Sequence, residues 1–155
     1  MDNTIFEKLV LQNEQKLYRI SMSMLKNEAD SQDAVHDAIL KAYQNLSSLR
    51  NEEYFSTWLV RILINCCNKK LKENSRRADI GDNLPDVASR DNPYLNIELG
   101  EAIDSLPPKI RITIILHYVE DYPVKDIKCI LHIPEGTVKS RLNKGRLLLK
   151  QMLKE

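Results

Sequence analysis

The chain has 155 residues, with 23 Lys and Arg against 22 Asp and Glu, a formal net charge of +1 at pH 7. That length holds one domain or two small ones, and the near-neutral total excludes no class of partner, because the charges are segregated along the chain. No charged-then-apolar segment opens it and no run approaches the ~18 apolar residues needed to cross a bilayer, so it reads as a soluble, cytoplasmic protein.

In chain order, Thr4-Ile5-Phe6-Glu7 fits a capping box at a helix start. Phe6, Leu9, Val10, Leu17, Ile20, Met24 and Leu25 then mark one face of a long helix, which Lys26-Asn27 interrupts. A second helix is predicted from Ala29 to Leu46, with Ala34, Val35, Ala38, Ile39, Ala42 and Tyr43 inward. Its first turns carry Glu28, Asp30, Asp33 and Asp37, which suit the positive end of a helix dipole. Asp33 and Asp37 stand i,i+4 and repel weakly if both are exposed. A cap role accounts for Asp30 but not for the whole row; a basic partner would.

A third helix is predicted from Glu53 to Lys72, with Tyr54, Phe55, Trp58, Leu59, Ile62, Leu63 and Cys66 inward. From Arg61 to Arg77, Arg61, Lys69, Lys70, Lys72, Arg76 and Arg77 stand against a single acid, Glu73. Periodicity then fades from Glu73 to Pro93, where Gly81, Pro85 and Pro93 alternate with polar residues and with Asp79, Asp82, Asp86 and Asp91. This stretch reads as a flexible acidic linker. Helix resumes at Asn92-Pro93 and runs through Leu95, Leu99 and Ile103, and Leu106-Pro107-Pro108 ends it. The next helix spans Pro108 to Tyr118, with Ile110, Ile114, Ile115 and Tyr118 buried.

Val124, Ile127, Ile130 and Leu131 form a short amphipathic helix, and His132-Ile133-Pro134 makes a break. Val138, Leu142 and Leu149, with Leu148 and Met152 beside them, then form an apolar stripe surrounded by Lys139, Arg141, Lys144, Arg146 and Lys150. Two short helices joined tightly, the second basic, make a helix-turn-helix, which places its second helix in a DNA major groove. A basic helix that merely covers a core is the plainer alternative. The fold expected is all-α: two small helical domains joined by a flexible acidic linker, the C-terminal one a helix-turn-helix.

Enzyme signatures are absent: there is no phosphate-binding glycine loop, H-E-x-x-H or G-x-S-x-G. His36, His117 and His132 are scattered and read as packing or solvent-facing residues. Cys66, Cys67 and Cys129 have no metal-site spacing and read as reduced thiols in apolar faces. Neither a catalytic residue, a metal nor a cofactor is expected.

Three stretches share one resemblance. Leu106-Pro107 through Tyr118-Val119-Glu120-Asp121, followed by Pro134-x-Gly136-Thr137-Val138-Lys139-Ser140-Arg141-Leu142, closely resembles the promoter-reading domain of bacterial RNA polymerase sigma factors. The run from Asp30 through Asp33-Ala34-Val35-His36-Asp37 to Tyr43 resembles the core-binding helix of that family, and Phe55-Ser56-Thr57-Trp58-Leu59-x-Arg61-Ile62-x-x-Asn65 its melting and −10 helix. With two domains only, the chain resembles the small extracytoplasmic-function type of the sigma-70 family.

The resemblance implies a −10 and core-binding domain at 1–75, a linker at 76–92 and a −35-binding domain at 93–155. Asp30, Asp33 and Asp37 would face the clamp of the largest subunit of core RNA polymerase. Arg61, Asn65, Asn68, Lys69 and Lys70 would meet −10 DNA. Asn65 would read an unstacked base unless it serves a turn or cap. Thr137, Lys139, Ser140, Arg141, Asn143 and Lys144 would meet the −35 duplex. Thr137 would cap its helix or bind phosphate, and Arg141 would hold phosphate or an internal partner. The linker would mimic RNA on the transcript's path, or serve as a plain tether.

The partners implied are core RNA polymerase, promoter DNA and an anti-sigma factor of the membrane-anchored kind that often holds such proteins, with no membrane insertion of this chain. Two other readings stay open: a helix-turn-helix regulator that binds duplex DNA without polymerase, and a module whose basic helices bind protein. Departures from the family pattern are His132 at a usual turn glycine, Lys128 at a small residue, and His36 and Ile39 for a usual Gln and aromatic. At His132 the turn then needs a non-glycine residue at positive φ or a different geometry.

Overall fold

A computed structural model describes residues 1–79 and 97–154, and every described element is helical. The chain divides into two compact units, Met1–Ala88 and Ser89–Glu155. In the first, α1 (Asn3–Leu25), α2 (Glu28–Gln44) and α3 (Phe55–Asp79) pack each against the other two. Leu17 and Ile20 of α1, Ala34 and Ala38 of α2, and Leu59 and Leu63 of α3 are fully buried between them. Each such Leu or Ile contributes about 1.5–3 kcal/mol by leaving water. Phe6, Phe55 and Trp58 close one end as an aromatic cluster, with Phe6–Phe55 centroids 5.9 Å apart.

The helix boundaries follow local chemistry. α1 starts earlier than the capping box at Thr4 predicts, because Asp2 caps it and accepts from the Thr4 amide at 3.1 Å. Lys26 ends it in the left-handed region (φ 56°), with its amide on Met22 O at 2.8 Å. Asn27 Oδ1 then accepts from the Asp30 amide at 2.9 Å and opens α2, so Asp30 is a first-turn acid and not the cap. α3 runs past Lys72 to Asp79, longer than its apolar periodicity predicts. A one-turn helix, Glu52–Tyr54, precedes it and leaves Tyr54 60% exposed, against the expectation that it is interior. Tyr43 is also largely exposed, lying over Phe6 at 5.5 Å.

The three helices come together over small residues. Ser21 Oγ of α1 donates to Ser31 O of α2 at 3.1 Å, and Cys67 Sγ of α3 lies 3.6 Å from Ser21 Oγ. Cys66 and Cys67 are both buried, and burial pushes the Cys67 thiol up to about 12. Cys129, by contrast, is exposed on its helix and not set in an apolar face.

The second unit contains α4 (Ile97–Asp104), α5 (Pro108–Ile114), α6 (Val124–Leu131) and α7 (Glu135–Leu153). α4, α5 and α6 all pack on α7, around Ile103, Leu106, Ile114, Leu116, Ile127, Ile130, Val138 and Leu142. The corner between α4 and α5 is held by Arg111, a residue that no sequence motif singles out. Its buried guanidinium donates to Asp104 O at 2.8 Å, satisfying a helix-end carbonyl. The residues predicted to begin α4, Asn92 to Leu95, lie outside the described residues, as do Asp82, Asp86 and Asp91 of the expected linker.

α5 does not continue regularly to Tyr118. It widens into a π-type turn over Ile115–Val119, where the Glu120 amide reaches back five residues to Ile115 O at 3.0 Å. One extra residue in a turn rotates the side chains beyond it by about 100°. Tyr118, expected inside, is therefore 49% exposed. Met152, placed on the apolar stripe of α7, is also exposed, with its sulfur 3.2 Å from Ser105 Oγ.

Candidate functional site

α2 and α3 run antiparallel, so the acidic row and the basic run meet. Asp33 Oδ2 lies 3.6 Å from Lys70 Nζ, and Asp30 Oδ2 accepts from Asn74 Nδ2 at 3.1 Å. Asp33 and Asp37 remain exposed with His36 between them, whereas Asp30 is half-buried. Leu40, one turn beyond Asp37, is 57% exposed, so the outer face of α2 carries two carboxylates and a bare aliphatic side chain. Ile39, in the place of a usual aromatic, is half-buried.

Around α3 the basic run divides between two faces. Arg61, Asn65, Asn68 and Lys69, with Lys72 and Arg76, recur at spacings of three and four and are all exposed. They form one polar stripe along the helix opposite its buried side. Lys70 stands apart, on the side of Leu59 and Leu63, and its side chain is only 25% exposed. Sequence alone treats Lys69 and Lys70 as one pair; a helix turns them about 100° apart.

In the second unit, α6 ends at His132, which takes the left-handed conformation (φ 57°, ψ 51°). Of the two ways to replace the turn glycine, the chain uses a non-glycine residue at positive φ. The amides of His132 and Ile133 both reach Lys128 O, the latter at 3.3 Å. Lys128 itself points to solvent, so its bulk does not separate the helices. A separate close approach, of α7 to α5, occurs at Gly145, where an added Cβ would meet Ile114 Cγ1 and Cδ1 at 2.5 Å. The signal for this is present in the sequence, since Gly145 falls on the same stripe as Val138 and Leu142.

α7 begins after Pro134 with no side-chain cap, so the free amides of its first turn stay open for an anion. Thr137 lies in that turn, half-exposed, and does not serve as the cap. Lys139, Ser140, Asn143 and Lys144 are exposed on one flank, and Arg141 is half-buried. Arg146 donates to Tyr118 Oη at 2.7 Å and to Asn143 Oδ1. Such a basic helix, uncapped at its start and held on a shorter one by a tight turn, has the geometry of a major-groove reader. Among the described residues no cluster of His, Cys, Asp or Glu could hold a metal ion, and no helix is long and apolar enough to cross a membrane.

Comparison with known proteins agrees over both units. The profile of sigma-70 region 2 matches residues 9–77, and that of sigma-70 region 4 matches residues 96–149. The extracytoplasmic-function RNA polymerase sigma-E factor of Escherichia coli K12 is 30% identical, over 94% of this chain and 84% of that one. The chain belongs to the extracytoplasmic-function sigma factors of the sigma-70 family. It is therefore a transcription initiation factor and has no chemistry of its own. RNA polymerase sigma factor SigV of Bacillus subtilis is likewise 30% identical, over 94% of this chain and 90% of that protein. Among solved structures, the sigma factor RpoE of Bartonella quintana, determined with its anti-sigma factor NepR, has the same fold (TM-score 0.85, 23% identity, 96% of both chains).

Proposed function

We propose that this sigma factor docks on core RNA polymerase through the outer face of α2 and reads a two-part promoter with α3 and α7, helping to open the −10 DNA. The observation that carries the reading is the partition of exposed charge. Asp33 and Asp37 stand on α2, while Arg61, Asn65, Asn68 and Lys69 stand on a separate stripe of α3. An acidic face suits the basic clamp of the largest polymerase subunit, with Asp30 beneath it holding α3 through Asn74.

On the α3 stripe, Asn65 is exposed and makes no cap, which leaves its amide for an unstacked base; Asn68, Lys69 and Arg61 accompany it along the strand. Lys70, shared with Asp33, borders both surfaces. On α7, Lys139, Ser140, Asn143 and Lys144 take base edges and phosphates of the −35 duplex, with Arg141 and Thr137 on the backbone. In this assignment residues 1–75 form the −10 unit, 76–92 the linker and 93–155 the −35 unit, all working in the cytoplasm. An anti-sigma factor completes the set of partners, as supported by the sigma factor RpoE of like fold, which was solved in complex with the anti-sigma factor NepR.

The test is an electrophoretic mobility shift on a promoter carrying both elements, with and without core polymerase. A specific shift is expected only with core, and is lost on Asp33→Lys or Asp37→Lys. A specific shift by the protein alone, indifferent to core and to those substitutions, would return it to the class of ordinary duplex-binding regulators.

A further inference from the structure

Asn143 and Arg146 lie one turn apart on α7, and Tyr118 reaches them from the widened turn at the end of α5. Arg146 Nη1 donates to Tyr118 Oη at 2.7 Å and Nη2 donates to Asn143 Oδ1. A guanidinium carries donors only, so the Asn143 amide must turn its oxygen toward Arg146. Tyr118 is in turn fixed from behind. Its ring meets that of His117 edge-on at 4.8 Å, and His117 Nδ1 lies 2.9 Å from Tyr122 O. The contacts run unbroken from a backbone carbonyl through two rings to a guanidinium and then an amide.

That orientation limits what Asn143 can read. A freely turning asparagine pairs with adenine through both ends, its oxygen accepting from N6 and its NH2 donating to N7. Here the oxygen is turned toward a cation and accepts from it. With the oxygen turned toward Arg146, the NH2 faces the other way and is the end presented to a base, and it has donors only. The edge that matches is guanine, whose N7 and O6 are neighbouring acceptors with no donor beside them. We propose that Tyr118 and Arg146 are positioning residues that set Asn143 to read guanine, and not adenine, in the −35 element. The inference rests on the placement of α7 in that major groove.

The test uses the full-length protein with core polymerase, selecting bound sequences from a promoter pool randomised over the −35 element. Asn143→Ala identifies the base pair concerned, as the position whose preference disappears. The unaltered protein is expected to favour guanine over adenine there by roughly fivefold or more. Tyr118→Phe and Arg146→Ala are each expected to move that one position toward adenine and leave the others as they were. A wild-type preference for adenine, or a guanine preference that survives both substitutions, overturns the proposal. If Asn143→Ala, Lys139→Ala and Lys144→Ala alter no position, the placement of α7 fails and the proposal with it. Thermal unfolding of Tyr118→Phe separates positioning from folding. Should that variant unfold early, the exposed Arg146→Ala decides alone.

Discussion

Gly145 lies in the middle of α7, where glycine costs about 1 kcal/mol relative to alanine. The helix keeps it because α5 crosses there with Ile114 and Ile110 against the glycine backbone. A Cβ would stand 2.5 Å from Ile114 Cγ1, closer than Cβ contacts come, and 3.0 Å from Ile110 Cγ2, which is tight. Gly145→Ala should therefore destabilise the second unit by about 1–3 kcal/mol, as overpacking does, despite its better helix propensity. Thermal or urea unfolding measures it. Ile114→Val, which removes Cδ1, should recover part of the loss in the double variant although it costs about 0.5–1.5 kcal/mol alone. A Gly145→Ala protein as stable as the parent would mean that α5 and α7 are free to separate at this point.

At the scale of elements, α2 and α3 are tied by a surface ion pair whose value to stability is small. Asp33 is 63% exposed and Lys70 25%, and such pairs contribute about 0–1 kcal/mol. In the proposed docking its consequence lies in binding: Lys70 would neutralise a carboxylate offered to the polymerase clamp. Lys70→Met should leave the unfolding temperature almost unchanged while tightening core binding, by up to about fivefold on that energy scale. A fluorescence-anisotropy titration of core against labelled protein reads it, and weaker core binding in Lys70→Met would place Lys70 among the docking groups.

Most of these elements are legible in the sequence. Breaks at Lys26-Asn27 and His132 are visible because polar residues interrupt regular stripes there, and the buried faces of α1 and α2 come from their period. The features it hides have local causes. Past Lys72, α3 continues through Glu73, Asn74, Ser75, Arg76 and Arg77, polar residues that bury little, so no apolar period marks its end. Periodicity misplaces Tyr118 because it assumes constant helical phase, and a π-type turn shifts that phase. Lys70 separates from Lys69, and Arg111 goes inside, because charge patterning does not say which face a cation occupies.

For the whole molecule, two cationic surfaces lie in separate compact units, and the proposed function has them act on one promoter. Each cation that neutralises a phosphate adds about 0.7 to the salt slope on single strands and about 0.9 on duplex. Replacing Lys69 and Lys72 by alanine should then lower the slope of log K against log salt by about 1.4, and replacing Lys139 and Lys144 by about 1.8. Holoenzyme binding measured across a range of salt concentrations gives both numbers, with the contribution of core polymerase constant throughout. Because the pairs share no partners, the fourfold variant should lose the sum of the two free energies, to within about 0.3–0.5 kcal/mol. A slope that falls for one pair only would take the other surface off the phosphates. A fourfold loss well short of the sum would mean that one unit releases DNA once the other is weakened, so that promoter binding is a single concerted step.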